Sequence, residues 1–203
     1  MVDPNIILSA LHDDHQIGNF GDYEKKDKQD LIRIKELKNI SIIQIAKFKS
    51  SNINTNSIKI DGLNFPQAYP TVNHNNETRI LWTGPDICIV VSSDKNIKDK
   101  IAQAVNEEDF ATTDLSHSRA GIEISGKHSI DVLKKGTPLN LNSSEFEKNN
   151  CANSSYNGIS FMVDFTNDEN PTFRLFCLRS FGGSFYHSIT DAALEYGLSL
   201  IHI

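Results

Sequence analysis

Two very short connections limit what this chain can fold into. Arg79-Ile80-Leu81-Trp82 and Ile87-Cys88-Ile89-Val90-Val91 are separated only by Thr83-Gly84-Pro85-Asp86, and residues 152–156 and 159–165 only by Asn157-Gly158. Gly-Pro cannot continue a ladder, and Asn-Gly is the standard type I′ hairpin pair. Connections of two to four residues join antiparallel neighbours, because a parallel pair needs a crossover of a dozen or more. The chain must therefore be built on antiparallel sheets, with any helices packed onto them.

The remaining elements fit that frame. Ile40, Ile42, Ile43 and Ile45 form a β-branched run. Asp94 is placed to cap a helix with its apolar stripe at Ile97, Ile101, Ala104 and Val105, and residues 110–115 return as a strand. In 119–125, Ala120, Ile122 and Ile124 alternate with Arg119, Gly121 and Glu123, the period of a half-buried strand. A short helix over 127–135 buries Ile130 and either Leu133 or the stem of Lys134. Gly136 supplies its left-handed stop and Pro138 blocks continuation. After the Asn-Gly hairpin comes a strand over 172–178. A last helix over 183–196 carries Phe185, Ile189, Ala192, Ala193 and Tyr196, and stops at Gly197.

Residues 1–38 read as a solvated, flexible extension, since Asp22 to Asp30 is a charge run; Leu31, Ile34 and Leu37 have the spacing of one docking turn of helix. Residues 50–76, rich in Asn, Ser and Pro, read as irregular connection with at most one short strand. The expected class is α+β: one domain over 39–203, made of two small intertwined lobes, about 39–115 and 116–203, each with an antiparallel sheet.

A chain of 203 residues can bury roughly 70 % of its unfolded surface without a disulfide or a metal. The net charge of −6, with dispersed Lys and Arg, argues against a nucleic-acid partner. Apolar runs are of strand length, too short for a bilayer, and the acidic start lacks a basic leader, so a cytoplasmic protein is expected. Cys88, Cys151 and Cys177 are odd in number and lack CxxC spacing, which fits a reducing compartment.

Candidate chemistry is sparse. His12-Asp13-Asp14-His15 has ligand types, but four consecutive residues do not converge on one ion, so no metal site is expected. Cys88 and Cys177 sit in apolar strands; Cys151, in a polar stretch, reads as the more exposed thiol without a histidine to activate it. Ser116-His117 invites comparison with a nucleophile and its base, but neighbours along a strand point to opposite faces. Arg119 and Arg179, two of five arginines, border apolar strands where a guanidinium can clamp carboxylates or carbonyls. Trp82, the Phe65–Tyr69 loop, Phe181 and Phe185 are the candidate interface or structural aromatics.

Three blocks taken in order, RILWTGPDICIVVSS, SHSRAGIEISGKHSIDVLKKGTPLNL and FRLFCLRSFGGSFYHSITDAALEYG, resemble the sarcosine oxidase gamma subunit family over roughly residues 40–197. Thr137 and Asn140 stand where relatives often have Cys and Asp. The resemblance implies a fold similar to the folate-binding domain of aminomethyltransferases. It also implies a place in a heterotetramer with alpha, beta and delta subunits that oxidatively demethylates sarcosine to glycine. That reaction forms hydrogen peroxide and passes a one-carbon unit to tetrahydrofolate. The resemblance assigns FAD, FMN, NAD and tetrahydrofolate to the large partners and zinc to the delta subunit. It carries no catalytic, cofactor or metal residue onto this chain. The alternative from the same fold is a free-standing folate-binding one-carbon-transfer protein.

Overall fold

Alternation along the strands sorts the chain into layers in the computed structural model, which describes residues 9–11, 17–142 and 144–202, the last two as backbone. The N-terminal half contains β1 (Gly18–Phe20), β2 (Ile32–Glu36), β3 (Ser41–Lys47), β4 (Lys59–Ile60), β5 (Leu63–Asn64) and β6 (Val72–His74). It continues with β7 (Thr78–Gly84), β8 (Ile87–Ser92), α1 (Ile97–Ala104) and β9 (Phe110–Asp114). The second half runs β10 (Arg119–Ser125), α2 (Ser129–Lys134), β11 (Cys151–Tyr156), β12 (Ile159–Asn167), β13 (Thr172–Leu178), α3 (Gly182–Ala193) and β14 (Leu198–His202).

One sheet has the order β6-β7-β8-β3-β9 and is antiparallel throughout. The other has the order β1-β14-β2-β10-β13-β12-β11, antiparallel except where β14 lies parallel to β2. Odd and even positions of each strand then serve different cores. From β10, Ala120, Ile122 and Ile124 face α2 and α3, packing with Leu133, Phe185 and Ile189. From β3 and β8, Ile43, Ile45, Cys88 and Val90 face α1 through Ile97 and Ile101. Their neighbours Ile42, Ile89 and Val91 meet Cys151, Met162 and Phe176 of the larger sheet. The order of layers is helices, seven strands, five strands, helix.

This α+β architecture with antiparallel sheets agrees with the expectation, but several local readings differ. The stretch ending at residue 38 is no detached tail in its described part: β1 is an edge strand and β2 an internal strand of the large sheet. Ile32 and Ile34 are buried there as strand, with Leu31 buried just before it, and no docking turn of helix forms. The five residues 32–36 alternate buried and exposed, a period of two that the Leu31/Ile34/Leu37 spacing masked. Residues 50–76 hold three short strands and a 3₁₀ turn over Thr55–Ser57, not one strand. Their β4–β5 hairpin turns on Asp61-Gly62, whose positive φ values (53° and 78°) match those of Asn157-Gly158 (48° and 83°).

Gly136 is not left-handed. It is required because a Cβ there would lie 2.5 Å from Cζ of Tyr156, whose hydroxyl donates to the Val132 carbonyl at 3.0 Å. α2 buries Val132 and Leu133, with Ile130 only half-buried. α3 itself ends at Ala193, earlier than expected, and a 3₁₀ turn over Leu194–Tyr196 carries the chain to the stop at Gly197; β14 beyond it was unforeseen.

Asp94 does not cap α1 by direct side-chain bonding to its first turn. Its Oδ1 accepts from the Asn96 N–H at 2.9 Å, and Oδ2 pairs with Lys100 at 2.7 Å. Lys100 also bonds Asp61 at 2.5 Å, where Asn75 and Thr78 donate as well. Those bonds, from Asn75, Lys100 and Thr78, hold the Asp61 carboxyl at about 2 against an ordinary 3.8. A lowered folded pKa means stability present above pH 3.8 and lost as pH falls towards 2. Asp61→Asn keeps the left-handed turn, which Asn tolerates, and removes the charge. It is expected to cost about 1–2 kcal/mol at pH 7, discounted for the partly exposed Lys100, and almost nothing at pH 2. Urea midpoints across that range check it; a cost independent of pH would contradict the assignment.

Candidate functional site

β10 and β13 pair with Arg119 opposite Leu178, which sets Arg179 just beyond the same end of the sheet. The Arg179 N–H donates to the Ser118 carbonyl at 2.9 Å, tying the two strand ends together. Sequence reading singled out both arginines separately; the register makes them neighbours. Phe181 closes the 3₁₀ turn after β13 and is 48 % exposed, and Leu178 is 43 % exposed.

Around this corner lie two clefts. The first, of about 520 Å³, separates the facing sides of the sheets: Ile42 and Ile89 line one wall, Asn153, Met162, Phe176 and Leu178 the other, with Arg119 beside them. The second, of about 370 Å³, is lined by Glu36, Lys38, Ser116, His117 and both arginines. The clefts share Ile42 and Arg119, so an apolar trough opens into a predominantly cationic one.

Ser116 and His117 lie in the turn between β9 and β10, not on a strand, so the strand geometry invoked for them does not apply. The chemistry still fails. Ser116 Oγ donates to Asp114 Oδ1 at 2.6 Å and accepts from the Ile42 N–H at 2.9 Å, while His117 is exposed. Partial burial works to raise the Asp114 carboxyl, but bonds from Lys98 and Ser116 outweigh it and hold the group at about 2. This carboxylate accepts hydrogen bonds at neutral pH and is no general base.

The other expected residues disperse. Trp82 is half-buried on β7 with Tyr69, 54 % exposed, edge-on at 5.6 Å, and it lines neither cleft. Phe185 and Phe65 are core side chains, at 0 % and 2 % exposure, and cannot serve as interface anchors. Phe185 sits on the inward stripe of α3, which i, i+4, i+8 spacing with Ile189 and Ala193 dictates. Cys151 is fully buried, contrary to its polar surroundings in sequence, with Sγ 3.2 Å from the Trp82 carbonyl. Burial first, and the Asp164 charge second, push its thiol up to about 12; burial raises Cys177 to about 11 and Cys88 further. None is a thiolate at neutral pH. Among the described residues no three His, Cys, Asp or Glu converge as a metal site, and His12 to His15 lie outside them.

One feature escaped sequence reading. Arg79 points between the sheets and forks onto Asp164 of β12, Nε to Oδ2 at 2.6 Å and Nη2 to Oδ1 at 2.7 Å. Asn149 Oδ1 accepts a third bond at 3.2 Å. The signal was present: Arg79 and Leu81 share a parity in a strand whose Ile80 faces α1, so Arg79 had to enter the inter-sheet layer. Its role there is structural.

A family model described as "Sarcosine oxidase, gamma subunit family" matches residues 51–195. Among solved structures, the chain is similar to one in the heterotetrameric sarcosine oxidase from Corynebacterium sp. U-96 in complex with pyrrole 2-carboxylate. The TM-score is 0.76 at 22 % identity, over 84 % of this chain and 87 % of that one. It is also similar to the glycine cleavage system aminomethyltransferase T from Bartonella henselae, with a TM-score of 0.62 at 8 % identity. That match covers 86 % of this chain but 48 % of the other, so this chain spans about half the aminomethyltransferase's length. A search of curated protein sequences returns no match.

Proposed function

The chain belongs to the sarcosine oxidase, gamma subunit family, and on that premise we propose that it is the non-catalytic gamma subunit of a heterotetrameric sarcosine oxidase. The complex demethylates sarcosine to glycine, forms hydrogen peroxide and passes the one-carbon unit to tetrahydrofolate. Alpha, beta and delta subunits are its partners; the large ones carry FAD, FMN, NAD and tetrahydrofolate and the delta subunit carries zinc; the assembly is cytoplasmic. The observation that carries this reading is the family match across 145 consecutive residues, from 51 to 195.

The local chemistry fits a subunit that binds and positions rather than reacts. The thiols are held protonated, Ser116 is committed to Asp114, and exposed apolar side chains stand beside cationic ones at a sheet corner. No helix is long and apolar enough to cross a membrane. Phe181 and Tyr69, the latter backed by Trp82, are the two most exposed aromatic side chains among the described residues and are available to a partner.

A tagged copy expressed in its native cells should recover flavin-bearing large subunits in stoichiometric amount. Recovery of the tagged chain alone from cells that contain active sarcosine oxidase would overturn the proposal. The aminomethyltransferase-like fold keeps the folate-binding alternative testable in the same preparation. Titration of the isolated chain with tetrahydrofolate should release no heat.

A further inference from the structure

We propose that the trough beside Arg119 receives an extended segment of the partner subunit, one that places an apolar side chain against Met162 and Phe176 and a carboxylate on the Arg119 guanidinium. The proposal rests on the gamma-subunit reading and names the chemistry by which that subunit is held.

Arg119 carries most of the argument. It is half-buried, yet among the described residues no acceptor or carboxylate meets its guanidinium, whereas Arg79 is paired with Asp164 and Arg174 with Glu123. A guanidinium drawn partly out of water on apolar walls costs free energy unless a carboxylate or carbonyls complete its five-donor fork. Its neighbours Ile42, Leu178 and Phe176 offer none. In a chain of net charge −6, the guanidinium of Arg119 selects an acidic group, and Glu36 in the adjoining cleft is already paired with Lys38 at 3.5 Å.

Shape favours a polypeptide over a small molecule. The trough is elongated, and Asn153, Ser160 and Leu178 stand exposed on its rim. It crosses four strands of the large sheet, from Asn153 on β11 through Met162 and Phe176 to Arg119. At roughly 4.8 Å per strand that is about 15 Å, the span of four or five extended residues.

The free edge of β11 adds main-chain partners at one end. The Cys151 N–H faces away from β12, since it donates to the Pro70 carbonyl at 2.8 Å. Two and four residues on, Asn153 and Ser155 turn their main-chain groups the same way by strand periodicity. β11 is the last strand of its sheet, and its CANSSY sequence carries no proline or charge to block an incoming strand.

The test uses the complex captured by tagged wild-type chain and by three variants: Arg119→Glu, Leu178→Asp on the exposed rim, and Lys59→Glu as a charge-matched control on β4. Each variant's circular dichroism and melting point are measured first. If Arg119→Glu folds poorly, Leu178→Asp carries the test, because an exposed position tolerates a carboxylate. Arg119→Glu and Leu178→Asp should each weaken capture by about thirty-fold or more, while Lys59→Glu leaves it unchanged. Raising salt should weaken the wild-type complex more than an Arg119→Ala complex. Equal capture by wild type, Arg119→Glu and Leu178→Asp would overturn the trough assignment and leave the subunit role standing. Failure of wild type itself to capture a partner would overturn both. An isolated wild-type chain that sediments as a dimer, split by Arg119→Glu, would assign the trough to a second copy and also overturn the proposal.

Discussion

Asp164→Ala is expected to cost the folded chain about 3–5 kcal/mol, because it strands a guanidinium between two sheets. Asp164 is fully buried, Arg79 is 9 % exposed, and the carboxylate takes both of the fork's short bonds. After its removal, only Asn149 Oδ1 remains as an acceptor for Arg79 among the described residues. With total stability commonly 5–15 kcal/mol, that is about a fifth or more of what a domain of this size holds. The melting temperature should fall by roughly 6–20 °C. The pair itself is not inherently stabilising, since two desolvated ions repay much of their attraction. Replacing both, as Arg79→Met with Asp164→Leu, should therefore recover most of the loss. Denaturant midpoints for the single and double variants decide it. A single variant that melts like wild type would show that the sheets do not seal this pair from water.

Gly197→Ala should be comparably damaging, at about 2–5 kcal/mol, through backbone strain and overpacking together. Gly197 sits at φ 71°, ψ 124°, a region that L side chains rarely enter. A Cβ there would lie 2.7 Å from Leu31 Cδ2 and 2.9 Å from the Asp22 carbonyl oxygen. The same glycine's carbonyl accepts from the Ile32 N–H at 2.9 Å, and the Asp22 N–H donates to Leu194 nearby. The substitution thus pries β2 from β14, so amide exchange at residues 32–36 should accelerate more than at β12. Unchanged protection there would refute the placement of β2 inside the sheet.

The readable parts of this fold were those fixed by local chemistry. The Asn-Gly and Gly-Pro-Asp turns, the 119–125 alternation and the stripe of α3 each follow from neighbours in sequence, and each appears as expected. β2 was misread because Leu31, Ile34 and Leu37 mimic a helical spacing, and only pairing with β10 and β14 reveals the strand. β14 follows a helix stop closely and consists of only five residues, too short to assert itself without its partner. At the site, Arg119 and Arg179 were legible as arginines flanking strands, but their proximity depends on the β10–β13 register. Phe185 and Cys151 show the converse: aromatic or polar surroundings in sequence do not disclose which face a position will occupy.

The parallel pairing of β14 with β2 also bears on how the chain reaches its native state. Ile32 lies opposite Leu198, so a central ribbon of the large sheet joins residues about 166 positions apart. Closing that loop carries an entropic cost before any contact rewards it, and nonlocal pairing of this kind slows folding. During synthesis the five-stranded sheet has all its strands by residue 114, whereas β2 must wait for the final residues to emerge. The smaller sheet can thus gain protection early. β1 and β2, with the exposed edge of β10, remain open to misassociation until the end, a window that prompt assembly with a partner would shorten.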